Sequence, residues 1–400
     1  MHSLLARHRS SPSQTSNTGS RDETIICLVR PHRIKYEQAY WNGHLQDTIN
    51  NRVCIKVMPY NMLDGGTSLY EALQFGLRQH SYPEQQPREE EQVEKNSYEC
   101  SLCLYHVAST FGPTPNPIQT ALDNVQSATD AFSSLCRLQS SFNEKGVLPK
   151  LRMVLTSSMA AVRATNQPPI NGEYYTNRDW NNLSGLDENN WGSCYQWSKA
   201  ESERQVLEMA GEWNECIEEC EAGRCIEYVA LCPSFVFGPP PPLPTSPIVT
   251  SDNNPACGDT STSYSIELVK NWLYGKSEVQ SRLCIDVRDV ALAHVNAGTM
   301  DLSKSTKDKS SANCLRYILS TEKRLSSTKV AQALKSAIQM NKGIDLSAIK
   351  CDTKFDGGAI KIGEKEVEAS ERLQELGVVC RSVEETMEDM AKALLLEEAF

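Results

Sequence analysis

The sequence predicts an α/β fold: a doubly wound, mostly parallel sheet followed by a smaller, mostly C-terminal part. Three observations carry this. Short apolar runs alternate with longer stretches of helical periodicity through residue 236, the pattern of βαβ units with right-handed crossovers. The runs are continuous rather than alternating, as in strands covered on both faces. The alternation then breaks at FGPPPPLPTSP (237–247), a proline-rich connection that must leave the sheet.

The elements follow in order. Residues 1–22 (MHSLLARHRSSPSQTSNTGSRD) are basic, rich in Ser and Thr, and free of acids before Asp22. That composition suits a disordered tail, with an organelle transit peptide as the alternative. TIICLVR (24–30), RVCIKVM (52–58), CLYHVAS (103–109), LRMVLTS (151–157) and IEYVALCPS (226–234) read as buried strands. Helical periodicity covers 66–79, 118–138 and 196–221. In the last of these Val206, Ala210, Trp213 and Ile217 form an apolar stripe, and Gly223 is placed to end the helix. The polar, charged stretch 80–97 is a surface insertion in a core spanning 23–236. From 237 to 400 lies the substrate-binding part, interleaved with the last core strands. It has helices over 325–338 and 382–399, the second opening on Ser382 and Glu385 in capping-box spacing.

Four hundred residues suffice for one large domain or two interlocked ones. A net charge of −11 argues against a nucleic-acid partner, and no apolar run is long enough to span a bilayer. Fifteen cysteines without a secretory leader point to a reduced, cytoplasmic setting with free thiols. Cys100 and Cys103 make a CxxC with no second pair at zinc-site spacing, while Cys103 and Cys232 sit in strand-like runs. No metal site is expected.

Tyr195 is the only one of the 14 tyrosines with a lysine, Lys199, four residues on. At that spacing the two share a helix face, as an exposed surface pair also would. Their position gives them weight. They stand at the start of a helix that follows a strand ending in Thr156-Ser157-Ser158, and sheets of this type bind ligands at the carboxyl ends of their strands. Reducing a carbonyl needs an acid for the developing alkoxide and a second donor to orient the oxygen. A free phenol titrates near ~10, and an ammonium one turn away would lower it.

This Ser…TyrxxxLys layout resembles the short-chain dehydrogenases/reductases, and the surrounding words resemble the extended branch that holds dihydroflavonol and cinnamoyl-CoA reductases. LRMVLTSSMAAV (151–162) is similar to the strand with that group's catalytic serine, and RDWNNLSG (178–185) to its acidic-tryptophan segment. ALCPSFVFGPP (230–240) resembles its Pro-x-x-x-x-Gly-Pro turn, CIDVRDVALAH (284–294) its VDVRDVAxAH signature, and LYHVAST (104–110) its fourth strand. The resemblance implies a Rossmann-like fold and NADP-dependent reduction of a small carbonyl compound. It implies Tyr195 as general acid/base, Lys199 as its partner and a contact to the nicotinamide ribose, Ser158 (or the adjacent Ser157) holding the substrate carbonyl, and Asn124 in a proton relay to Lys199. A polar residue at a helix N-terminus is the plainer reading of Asn124. Cofactor contacts would come from Arg30, Lys35, Asn61, Met62, Val107, Ala108, Ser109, Ser157, Pro233 and Phe235. Asp286, Arg288, Asp289 and His294 would anchor the junction to the substrate-binding part, and His106 would be core or rim.

Two departures qualify these expectations. The glycine-rich phosphate loop is missing: Gly19 and Gly43 alone precede Gly65, and TIICLVR matches the family's second strand. The chain is therefore expected to lack the first βα unit, either as an incomplete product or as a degenerate relative; the intact catalytic words favour the former. Basic Arg30, Arg33 and Lys35 suit the 2′-phosphate of NADP, while Asn61-Met62 replaces an aspartate near adenine. At the substrate end Arg163 occupies a position that touches the ring of flavonoid substrates, so the substrate stays open. A nucleotide-sugar epimerase/dehydratase, a hydroxysteroid dehydrogenase, or a non-catalytic binding protein are the alternatives. Extended relatives include monomers and dimers, which leaves a homodimer open.

Overall fold

A computed structural model of the chain describes residues 23–29, 53–80, 101–107, 109–143, 150–215, 225–240, 263–302, 314–322, 324–339, 345–355 and 370–397. The tail 1–22, Arg30, Arg33, Lys35, Ala108, Gly223 and nearly all of the 80–97 insertion lie outside them.

Five of the strands fall where the apolar runs predict them. They are β1 (Glu23–Val29), β2 (Val53–Pro59), β3 (Ser101–His106), β4 (Lys150–Thr156) and β5 (Ile226–Pro233). Strands β3, β4 and β5 are joined by β9 (Cys314–Leu319) in a four-stranded parallel sheet of order β3-β4-β5-β9. Here the C-terminal half returns a strand to the core, pairing Tyr228 with Cys314 through Pro233 with Leu319. Strand β3 ends at His106, three residues before the apolar run does, and Val107 turns out to 61% exposure.

The sheet is covered on both faces, and strand alternation divides the side chains between two cores. Leu151, Met153, Leu155, Ile226, Tyr228 and Ala230 face one cluster, with Phe132, Leu135 and Leu138 of α2 (Pro117–Asn143) and Val206 and Ala210 of α4 (Trp191–Glu215). Val154, Val229 and Leu231 face the other, with Ala293 and Ala297 of α6 (Val287–Thr299). Gly298 lets α6 approach β3: a Cβ there would meet the Tyr105 ring and hydroxyl. This is the doubly wound arrangement the alternation predicts.

Strands β1 and β2 pair in parallel with each other as a separate two-stranded sheet. Among the described residues no strand bridges β1 to β3, so the parallel sheet is in two pieces. Helix α1 (Thr67–His80) holds the smaller piece to the larger by packing on α2, with Leu69 and Leu73 in the core of the four-stranded sheet. The turn into α1 needs glycine at Gly66: its φ is +74°, and a Cβ would stand 2.5 Å from Ser134 Oγ.

Three short helices complete the catalytic and C-terminal regions: α3 (Met159–Val162), α5 (Tyr264–Leu273) and α8 (Ser370–Glu375). A third cluster joins Phe237 of β6 (Phe235–Phe237), Trp272 of α5, Val330 and Leu334 of α7 (Ser327–Ile338), and Met387 and Leu394 of α9 (Val383–Glu397). Strand β6 pairs with β8 (Cys284–Asp286), and β7 (Val279–Gln280) with β10 (Cys351–Asp352). Asp286 caps α6, pairs with Arg288 and accepts from Thr386 of α9; Asp289 pairs with Arg381. These charges tie the C-terminal helix to the end of β8, the anchoring expected of them. Glu385 N–H donates to Ser382 Oγ, which caps α9. No helix among the described residues is long and apolar enough to cross a membrane.

Candidate active site

Strand β4 ends at Thr156, and the chain turns at once into α3, whose N-cap is Ser158: its Oγ accepts from Ala160 N–H at 3.1 Å. The two serines part here. Ser157 is buried and donates to Glu203 at 2.6 Å, whereas Ser158 hydrogen-bonds Tyr195. Of the two candidates, the hydroxyl beside Tyr195 is that of Ser158.

Helix α4 begins five residues earlier than its periodicity suggests, so Tyr195 as well as Lys199 lies inside it. Lys199 is 8% exposed and donates from Nζ to the Thr156 carbonyl at 3.1 Å, with Nζ 5.9 Å from the centre of the Tyr195 ring. Burial brings its pKa down to about 8, against the opposing pull of Cys232 and Glu203. Burial also pushes the Tyr195 phenol up to about 12, with Ser158 working the other way. The expected lowering by Lys199 is thus corrected: the ammonium is turned to the Thr156 carbonyl, and desolvation of the phenolate dominates.

A cleft of about 240 Å³ opens at the ends of β3 and β4, lined by His106, Ser109, Asn124, Thr156, Ser157 and Lys199 among others. Asn124 lies eight residues into α2, not at its N-terminus; Oδ1 accepts from Thr110 N–H at 2.8 Å and Nδ2 donates to the Thr110 carbonyl at 3.1 Å. Its side-chain hydrogen bonds fasten the loop after β3 rather than reaching Lys199. His106 bonds Ser127 at 3.0 Å, and burial, then Lys199, hold its pKa down at about 4, so it is a neutral wall residue. Ser109 Oγ is buried and has no hydrogen-bond partner among the described residues. An orphaned hydroxyl beside a lysine and an asparagine side chain fits the ribose and amide groups of a nicotinamide nucleotide.

The other end is not built from the described residues. Gly65 and Gly66 open α1, but Asp64 Oδ2 accepts from Ser68 N–H there, putting a negative charge where a phosphate loop needs bare N–H groups. Asn61 is turned inward on its own loop, accepting from Leu63 N–H at 3.1 Å, and neither it nor Met62 lines the cleft. Arg163 stacks over Tyr175 at 5.3 Å and stays out of the cleft. Pro233 is buried at the end of β5, paired with Leu319.

Sequence reasoning missed an aromatic rim. Phe111 lies 4.6 Å from Tyr195, 5.6 Å from Trp191 and 5.3 Å from Tyr264, ring centre to ring centre. Phe235, expected at the cofactor, instead joins this rim, 6.3 Å from Tyr264, with the Arg282 guanidinium 4.5 Å over it. These residues come from four separate segments, and no local spacing announces their meeting. Glu203 was missed as well, although it stands three residues before Val206 and Lys199 seven before, two charges on an apolar stripe.

No known family's sequence profile matches the chain. An uncharacterized oxidoreductase of Schizosaccharomyces pombe is 30% identical over 158 residues, 38% of this chain and 41% of that protein, so the match spans less than half of the relative's length. Among solved structures, the yeast methylglyoxal/isovaleraldehyde reductase Gre2 complexed with NADPH superposes with a TM-score of 0.59 at 19% identity, covering 94% of this chain and 92% of that one. Gre2 of Candida albicans with NADPH gives 0.57 at 17%, covering 94% and 99%. UDP-glucose-4-epimerase of Stenotrophomonas maltophila, with NAD bound, gives 0.54 at 14%, covering 95% and 99%. The chain therefore has the Rossmann-type fold shared by reductases and epimerases of the extended short-chain dehydrogenase/reductase group.

Proposed function

We propose that this protein is an NADP-linked oxidoreductase that reduces a carbonyl or aldehyde group by hydride transfer. The observation that carries the reading is the Ser158 hydrogen bond to Tyr195, one helical turn from the buried Lys199 that lines a small cleft together with Ser109. Superposition on reductases complexed with NADPH supports it.

A reduced nicotinamide bound in the cleft would supply the hydride. Tyr195 donates the proton to the developing alkoxide. Burial keeps the phenol protonated at neutral pH, which is the form a reduction needs. Ser158 Oγ–H donates to the carbonyl oxygen and fixes its position before transfer. Lys199, held by the Thr156 carbonyl, offers a donor for the nucleotide ribose. Phe111, Trp191 and Tyr264 screen the reaction from water and favour an apolar or flat substrate. Ser109 and Asn124 line the nucleotide side.

A second reading, reaction on an anionic substrate such as a nucleotide sugar, is favoured by Arg282. Its Nε is buried with no hydrogen-bond partner among the described residues, while one terminal nitrogen donates to Gln280 at 2.7 Å. Titration of the purified chain with NADPH, NADH and UDP-glucose by calorimetry separates these readings, followed by aldehyde-dependent NADPH oxidation. NADPH binding with turnover is the expected result. Binding of UDP-glucose that Arg282→Ala abolishes transfers support to the second reading, and absence of any nicotinamide binding supports a non-catalytic protein.

A further inference from the structure

Tyr195, Lys199 and Glu203 follow one another at four-residue intervals along α4 and share a face. Glu203 is only 1% exposed. One carboxylate oxygen accepts from Ser157, the residue that aims Ser158; the other pairs with Arg316 Nε, reaching in from β9. Arg316 is itself held by the carbonyls of Asn177, at 3.0 Å, and Asp179, and lies 4.0 Å over Trp180. A buried carboxylate so fastened is costly unless paired and hydrogen-bonded, and this one has both partners.

We infer that Glu203 is a positioning residue: it fixes the turn that presents Ser158 and supplies the negative charge that keeps Lys199 an ammonium ion. The inference deepens the reductase reading and draws its meaning from it. The titratable neighbours of Lys199 on β3, α6, β5 and β9 leave Glu203 this part. His106 on β3 is neutral, its pKa held at about 4. His294 on α6, whose Nδ1 donates to the Val290 carbonyl, accepts from Thr156 at Nε2 and is likewise kept neutral by burial. The Cys232 thiol on β5 is pushed by burial to about 12 and is uncharged near neutrality. Arg316 on β9 has the same sign as Lys199 and would discharge it if left uncompensated.

The test follows Lys199 directly and requires no turnover. In protein carrying [13C-ε]lysine, the Lys199 resonance is identified by its loss in Lys199→Met and titrated by NMR. A midpoint near 8 is expected in the parent chain. Glu203→Gln, which keeps an acceptor for Ser157, lowers the midpoint by about one unit. An unchanged or raised midpoint in the folded variant overturns the inference. Where Glu203→Gln does not fold, Arg316→Gln decides: removing the compensating cation raises the midpoint, and a fall or no change overturns the proposal. Failure of NADPH binding with the lysine shift intact would sink the reductase reading and leave this one standing.

Discussion

The two pieces of the parallel sheet start from equally apolar runs and end in different states. In β4 every residue from Leu151 to Leu155 is buried, including Arg152, which donates to Glu227 and to the Ala297 and Met300 carbonyls. In β1 the central residues Ile26, Cys27 and Leu28 stay partly exposed. The difference lies in neighbours, since β4 is hydrogen-bonded on both sides and covered on both faces, while among the described residues β1 pairs with β2 alone. Apolar character makes a strand; partners on both edges make it rigid. All the residues proposed for chemistry hang from the closed piece or from α4 beside it. The open piece carries Asn61 and Met62, which the nucleotide's adenosine end was expected to meet.

The comparison breaks first, and most heavily, at the acid. Tyr195→Phe removes the donated proton and the hydrogen bond to Ser158 while leaving the ring in place. Carbonyl reduction should fall by about a hundredfold to ten-thousandfold with NADPH affinity retained. Asn61→Ala, on the open piece, should change turnover by less than about threefold, because its side chain serves its own loop. Steady-state kinetics on both variants check this, and equal losses would show that the open piece contributes to catalysis.

Stability sharpens it next. Met153 is fully buried in β4, and Met153→Ala should cost about 2–5 kcal/mol. Leu28→Ala, on half-exposed β1, should cost about 1 kcal/mol or less, read by urea denaturation of both variants. Comparable losses would mean that β1 is as well packed as β4 in solution.

Much of this was legible beforehand, for reasons that also explain what was not. Strands and helices of the core write their period into local sequence, so β1 to β5 fall within two residues of the runs at their starts. Tyr195, Lys199 and Ser158 were visible because a helix turn and a strand end are themselves local features. The aromatic rim was not legible, because Phe111, Trp191, Phe235 and Tyr264 meet only after β3, α4, β6 and α5 have packed. The direction of the Tyr195 shift was misjudged for a similar reason: the helix gives the tyrosine–lysine spacing, whereas the burial of the phenol is a property of the assembled cleft.

His106 stands between the two pieces. It ends β3 and bonds Ser127, whose hydroxyl lies 3.1 Å from Tyr60 OH, just past β2. Its pKa falls from 6.5 to about 4 on folding, so the folded state refuses a proton that the unfolded chain accepts. The stabilisation is complete above pH 6.5 and is lost as pH falls toward 4, by an amount on the order of 2–3 kcal/mol. His294, lowered by burial too, adds the same sign. Urea midpoints of the parent chain should therefore decline across that window, and the decline should be shallower in His106→Asn.

The smallest effect separates the two causes of that shift. Burial is the larger and Lys199 the next. Lys199→Met removes the cation and leaves His106 wrapped by the same side chains. Its imidazole, followed by NMR through the ring Cε1–H signal, should then titrate upward by less than about one unit and remain well below 6.5. A rise to the free value would mean that the cavity around His106 admits water and that β3 shares the openness of β1. No rise would mean that Lys199 lies too far from the strand to act on it, and the cleft joining them would be wider in solution. A small upward step places β3 electrostatically with the catalytic lysine, on the closed side of the divide.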